Sequence, residues 1–249
     1  MTHPSDRHLN TSRLLAPALA ALLAGALLVF VCLGTSEAQA WTGTPEVTAK
    51  KRPKKTDAPR PAIDKRLIPY GKKRKHEMAA YSKRHYGKKE WRLKKPKVIV
   101  EHYAVTATLA GIFNTFRTDQ PDVEFGELPN VCAHFAVNDK GRIQQYVPLS
   151  IRCRHTVGLN DRSIGIEHTG FSDGQVLSDK DQMHSSLKLT KWLRCKYDIS
   201  IGNVIGHNES LSSPFHHEKV KSMRHQTHGD FRHASMKKYR KQLRNLGQC

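Results

Sequence analysis

From residue 98 onward the apolar residues change period repeatedly, and that alternation confines the chain to one class of fold. Val98-Ile99-Val100 is a short β-run, and Val105, Leu109, Ile112, Phe113 and Phe116 follow at helical spacing. Residues 132–138 and 143–148 read as two strands around Asp139-Lys140-Gly141, a hairpin signal, and residues 163–167 as another short strand. A long helix is predicted next. Ser178 and Asp181 stand in capping-box positions, and Met183, Leu187, Thr190, Leu193 and Tyr197 run down one face. Residues 203–206 form a further strand, and a polar, His-rich loop occupies residues 208–228. A last helix carries Met236, Tyr239, Leu243 and Leu246 and ends at Gly247. Strands alternating with helices, plus one hairpin, predict a single α/β domain with a central mixed β-sheet flanked by helices.

The chain before residue 98 has a different character. Residues 74–86 place Met78, Tyr81 and His85 at helical spacing, with Gly87 as C-cap. Residues 41–67 mix Lys, Arg, Pro and Thr with almost no large apolar residues and read as a disordered basic linker, so the folded domain is expected over 68–249. Residues 41–97 hold 20 of the 42 Lys+Arg and 5 of the 22 Asp+Glu, a local +15 within the chain's net +20. Such a run either stays solvated or attracts polyanions. Residues 1–40 read as a signal peptide: Arg7 and Arg13, an apolar run over 14–33, then Ala38-Gln39-Ala40 before Trp41. The run is also long enough to span a bilayer if it is retained as an anchor. Phe30 and Val31 are too bulky for a lipoprotein site at Cys32.

Export decides how the other cysteines read. Without Cys32 four remain, Cys132, Cys153, Cys195 and Cys249. An even count in an oxidising compartment predicts two disulfides, with three pairings open. None of the spacings is C-x-x-C, which disfavours a zinc–thiolate knuckle or a redox motif. For an exported chain the polyanions in reach are wall polymers and anionic lipid, so a nucleic-acid partner is not expected.

Two of the β-runs end in histidine, at His102 and His207. Ligands collect beyond the carboxyl ends of strands in open α/β sheets, so both imidazoles can meet at one rim. Two imidazoles and one carboxylate make a catalytic zinc shell with the fourth position open to water. In a chain with 15 histidines, however, a hydrogen-bonded structural histidine is the commoner outcome for any one of them.

Five blocks occur in order: residues 98–103 (VIVEHY), 133–148 (AHFAVNDKGRIQQYVP), 155–158 (HTVG), 160–169 (NDRSIGIEHT) and 204–209 (VIGHNE). Together they resemble the zinc-dependent N-acetylmuramoyl-L-alanine amidase family that includes phage T7 lysozyme and the peptidoglycan recognition proteins. The resemblance covers about residues 68–247. It implies hydrolysis of the amide between N-acetylmuramic acid and L-alanine of peptidoglycan, with Zn2+ as cofactor. It also implies His102 and His207 as metal ligands.

The third ligand would be Asp230, in His228-Gly229-Asp230, where the family has K-x-D or K-x-C. The gap from His207 is longer than usual, and His216, His217, Glu218 and His225 compete for the role. Glu167 matches the strand-end general base, and with Ala133 where T7-like members have tyrosine, no tyrosine assists it. His228 would stand at the developing oxyanion in place of lysine. His155 matches a cleft-lining, substrate-binding histidine, while His134, His168 and Glu101 are read as structural. The expected disulfides are Cys132–Cys153, flanking the hairpin, and Cys195–Cys249, each cysteine at a helix end.

The protein is therefore expected to be secreted, wall-associated and monomeric, with peptidoglycan as substrate, anionic wall polymers on the linker, and membrane contact only if the N-terminal segment is retained. The competing readings are a non-catalytic peptidoglycan-binding module of the same fold and a zinc peptidase acting on the stem peptide.

Overall fold

The computed structural model of the protein describes residues 58–249. The signal-peptide expectation and most of the predicted linker lie outside the described residues. In chain order the elements are β1 (Asp64–Lys65), α1 (Lys72–Tyr86), β2 (Val98–Tyr103), α2 (Leu109–Arg117), β3 (Phe135–Val137), β4 (Ile143–Gln145), β5 (Ser163–His168), α3 (Asp173–Ser178), α4 (Lys180–Tyr197), β6 (Val204–Gly206) and α5 (His233–Asn245). The strands form one six-stranded sheet in the order β1-β4-β3-β5-β2-β6. Only β3 and β4 run antiparallel, as the hairpin signal required; the other neighbours are parallel. The sheet is mixed and flanked by helices, as the alternating periods predict. No helix among the described residues is long and apolar enough to cross a membrane.

Strand alternation sorts the side chains onto two faces. Ile99, Phe135, Val137, Ile164 and Ile166 point to the side covered by α4 and α5, where they bury Leu187, Leu193, Met236, Tyr239 and Leu243. Ala136 belongs to the opposite side, with Ile112 and Phe116 of α2, Tyr146 and the Cys132–Cys153 bridge. The second disulfide joins Cys195 on α4 to the terminal Cys249. Both pairs are the ones expected, with Cα–Cα distances of 5.2 and 5.0 Å.

Four sequence expectations need correction. Val105 is not on α2. The helix starts at Leu109 because the Thr108 hydroxyl accepts Gly111 N–H at 3.0 Å, which leaves Val105 on a turn, 66% exposed. The long helix is preceded by a separate short one. Ser178 ends α3, and Asp179 is the N-cap of α4, accepting Gln182 N–H at 2.8 Å. The hairpin strands pair over only three residues each. Regular structure also begins before Leu67. Asp64 and Lys65 pair with Gln144 and Gln145, and Ile68 N–H continues the ladder to Tyr146 O at 2.9 Å. An edge strand held by backbone hydrogen bonds leaves no apolar signature, so composition cannot reveal it.

Helix α1 is tied down by a buried charge cluster. His85, fully buried, lies 2.9 Å from Glu218 through Nδ1 and 2.9 Å from Glu127 through Nε2. Burial opposes the imidazolium, but the two carboxylates outweigh it and hold the pKa above the ordinary value. A pKa raised by folding contributes stability that is complete below the unfolded value of about 6.5 and is lost as pH rises through the folded one. The melting temperature of the parent protein relative to His85→Gln should therefore shrink as pH is raised from 6 to 9. Parallel pH profiles for the two proteins would show that His85 does not supply this term.

Candidate active site

The parallel strands β5, β2 and β6 end at the same rim. The register pairs His102 with Glu167 directly, and Glu101 with Gly206, so His207 follows at the level of His102. Alternation therefore sets His102, Glu167 and His207 on the α2 side of the sheet. Asp230 arrives from the loop before α5. Its Oδ2 lies 3.1 Å from His102 Nδ1 and its Oδ1 lies 3.3 Å from His207 Nδ1. All three residues are buried, with one donor atom from each within 4.8 Å of the others. This is the one such group of metal-ligating side chains among the described residues. The rivals are elsewhere engaged or outside it: Glu218 on His85, His217 near Asp161, and His216 beside Gly158.

Two glycines make this approach possible. A Cβ on Gly206 would stand 1.8 Å from Phe231 O, so only glycine lets the Asp230–Phe231 turn close on the strand end. A Cβ on Gly165 would stand 2.8 Å from the His155 ring, which lies across β5 at that point.

Electrostatically the site is polarised. Burial would raise the Asp230 pKa, but His102 and His207 outweigh it and hold the carboxylate far below its usual range. Burial lowers His207 to about 4 and pushes Glu167 up to about 7, the nearby His102 pulling Glu167 partly back. Glu167 Oε2 and His207 Nε2 are buried without a hydrogen-bond partner. These groups line one part of a cleft of about 570 Å³ that also takes in Arg154 and Tyr81.

The remaining candidates fall in two groups. His155 lines the cleft, yet its nitrogens are all engaged: Nδ1 lies 3.2 Å from His102 Nε2 and 2.9 Å from Thr156 Oγ1, and Nε2 lies 3.1 Å from Ser163 Oγ. It packs behind His102 and fixes that ring. His134 accepts Gly165 N–H and contacts Ile151 O. His168 bridges His102 O and Ser186, and Glu101 accepts the Thr190 hydroxyl on the far face. His228 sits at the mouth, its ring stacked 4.6 Å from that of His207 and its Nε2 3.0 Å from Glu124. Glu124 lies 104 residues from His228 on a turn built by Asp122, and nothing local in the sequence marks it.

Three buried side chains that could hold a metal ion thus meet at the rim of an α/β sheet. The family profile described as N-acetylmuramoyl-L-alanine amidase matches residues 92–227, more than half of the chain, and the chain belongs to that family. The matched stretch ends before Asp230. Similar solved structures include the endolysin N-acetylmuramoyl-L-alanine amidase LysCS from Clostridium intestinale, 19% identical over 61% of this chain and 84% of that one, with a TM-score of 0.41. A mutant endolysin from Bacillus subtilis is 26% identical over 59% and 84%, TM-score 0.41. A selenomethionine derivative of AmpD is 19% identical over 74% and 97%, TM-score 0.46. No curated protein matches the sequence.

Proposed function

We propose that the protein is a zinc-dependent N-acetylmuramoyl-L-alanine amidase, cutting peptidoglycan between N-acetylmuramic acid and L-alanine. The observation that supports this best is the convergence of His102, His207 and Asp230 beside Glu167 in a chain of the amidase family. The donor set fits zinc on its own chemistry: two imidazole nitrogens and one carboxylate, buried and mutually close. The unpartnered Glu167 Oε2 at the same end of the cleft suits a group that engages water or substrate rather than the protein.

A zinc ion held by those three residues would supply Lewis-acid activation of water and of the substrate carbonyl. The chain's own residues do the rest. Glu167 takes one proton from the attacking water, whose oxygen bonds to the lactyl carbonyl carbon. The C–N bond then breaks, and Glu167 returns the proton to the departing L-alanine nitrogen. His228, held against the His207 ring and by Glu124, hydrogen-bonds the carbonyl oxygen as it gains negative charge. His155 keeps the His102 ring in place, as outer partners of metal-binding imidazoles do.

The two disulfides agree with export to an oxidising compartment. Residues 1–40 would be the signal peptide. The basic linker would draw the enzyme to anionic wall polymers, and residues 58–67 would join the amidase domain with which they pair. The enzyme would act as a monomer.

The test is the product. Mass spectrometry of digested wall should show free stem peptides beginning with L-alanine. Peptides cut internally would instead make the chain a stem peptidase, and intact wall in the presence of zinc would make it a binding module.

A further inference from the structure

Of the three proposed ligands, Asp230 alone does not ride on or directly follow a strand, so something else must fix its turn. We propose that Asp173, the first residue of α3, is a positioning residue that clamps this turn so that Asp230 meets His102 and His207; the proposal rests on the metal-site reading above. The Asp173 carboxylate accepts two consecutive backbone N–H groups immediately after the ligand, Phe231 through Oδ1 at 2.7 Å and Arg232 through Oδ2 at 2.8 Å. Hydrogen bonds to a carboxylate are among the stronger ones a protein makes.

The turn needs holding. Phe231 has φ +52°, a left-handed conformation that a bulky residue adopts only where its surroundings over-determine it. On the other side of the turn Asn208, the neighbour of His207, donates its N–H to Asp230 O at 3.0 Å and its Nδ2 to His228 O at 3.1 Å. Phe231 itself is fully buried, against Tyr103 and His168. The ligand's backbone is thus gripped from before and after, and Asp173 supplies the whole of the grip on the two amides that follow it. The side-chain cap of α3 is Ser172, which accepts Gln175 N–H at 3.2 Å, so Asp173 is not needed for that task.

The experiment compares zinc affinity of the full-length parent, Asp173→Ala and Asp173→Asn by competition with a chromophoric chelator. Metal-free melting is followed alongside. Loss of an outer partner of a metal site typically costs 10–100-fold in affinity, and Asp173→Ala should fall in that range. Asp173→Asn keeps one acceptor oxygen and should lie between Ala and the parent, with the metal-free proteins melting within a few degrees of one another. A lower metal-free melting temperature with unchanged zinc affinity would make Asp173 merely structural and overturn the proposal. If Asp173→Ala does not fold, parental affinity in Asp173→Asn overturns it equally. A parent protein that takes up no zinc would overturn the metal reading and this inference with it, and that outcome is distinct from a parent that binds zinc no better than its variants.

Discussion

The His102→Ala variant should lose its zinc and, with it, all lysis of peptidoglycan, and a chelator should do the same to the parent until zinc is added back. Three protein donors around one ion hold it far more tightly than two. His102 is also the donor most firmly placed beforehand. It sits within the length of β2 that pairs with β5, one residue past the pairing with β6, with His155 and Thr156 behind its Nε2. Removing the ring leaves that backbone pairing intact, so the variant should fold and melt near the metal-free parent while its metal content falls to background. His207→Ala and Asp230→Ala should behave alike. Substitutions at His216, His217 and His225 should leave zinc in place, since those rings lie outside the cluster. Metal analysis and a turbidity assay on the same preparations check all of these. Lysis that survives thorough chelation, with no metal detected, would sink the zinc mechanism.

What the sequence disclosed follows the strength of the local signal. Strands buried on both faces read as continuous apolar runs, and β2 and β6 were visible because of it, histidines at their ends included. That the two ends lie side by side, with Glu167 opposite His102 on β5 at the other side of β2, depends on the register of non-neighbouring segments. No single run carries that information. The errors have equally physical origins. Val105 continues the helical spacing by coincidence across a turn, and only the Thr108 cap shows where the helix begins. Helix α3 has six residues, too few for a period to emerge, so the local pattern places Ser178 at the start of the element that follows it. His155 lines the cleft as its motif match implies, while its contacts with His102 and Ser163 come from the fold of the HTVG segment over β5 and carry no local signal. Glu124 and Asp173 are ordinary acidic residues in polar stretches. Their roles appear only when distant loops are brought to the same rim.

Glu167→Gln should keep a full complement of zinc and yet lose on the order of 10²–10⁴-fold in turnover, the usual worth of a positioned acid–base group. Glutamine preserves the volume and one oxygen of the side chain, so the register pair with His102 and the packing of β5 should survive. What it cannot do is accept a proton from water and hold it for the leaving nitrogen. The native carboxyl is suited to that exchange. Burial pushes its pKa up to about 7, against the pull of His102, so near neutrality it both takes and releases a proton readily. Its Oε2 is committed to no hydrogen bond within the protein. No tyrosine stands at position 133 to share the task, Ala133 being there instead. His228, at the mouth of the cleft, is held by Glu124. Glu167→Asp withdraws the same carboxylate by one methylene and should recover part of the lost rate, which a purely structural role would not predict. Retention of half the parental turnover by Glu167→Gln, with zinc content unchanged, would make Glu167 a structural carboxylate and leave the proton transfers to another residue.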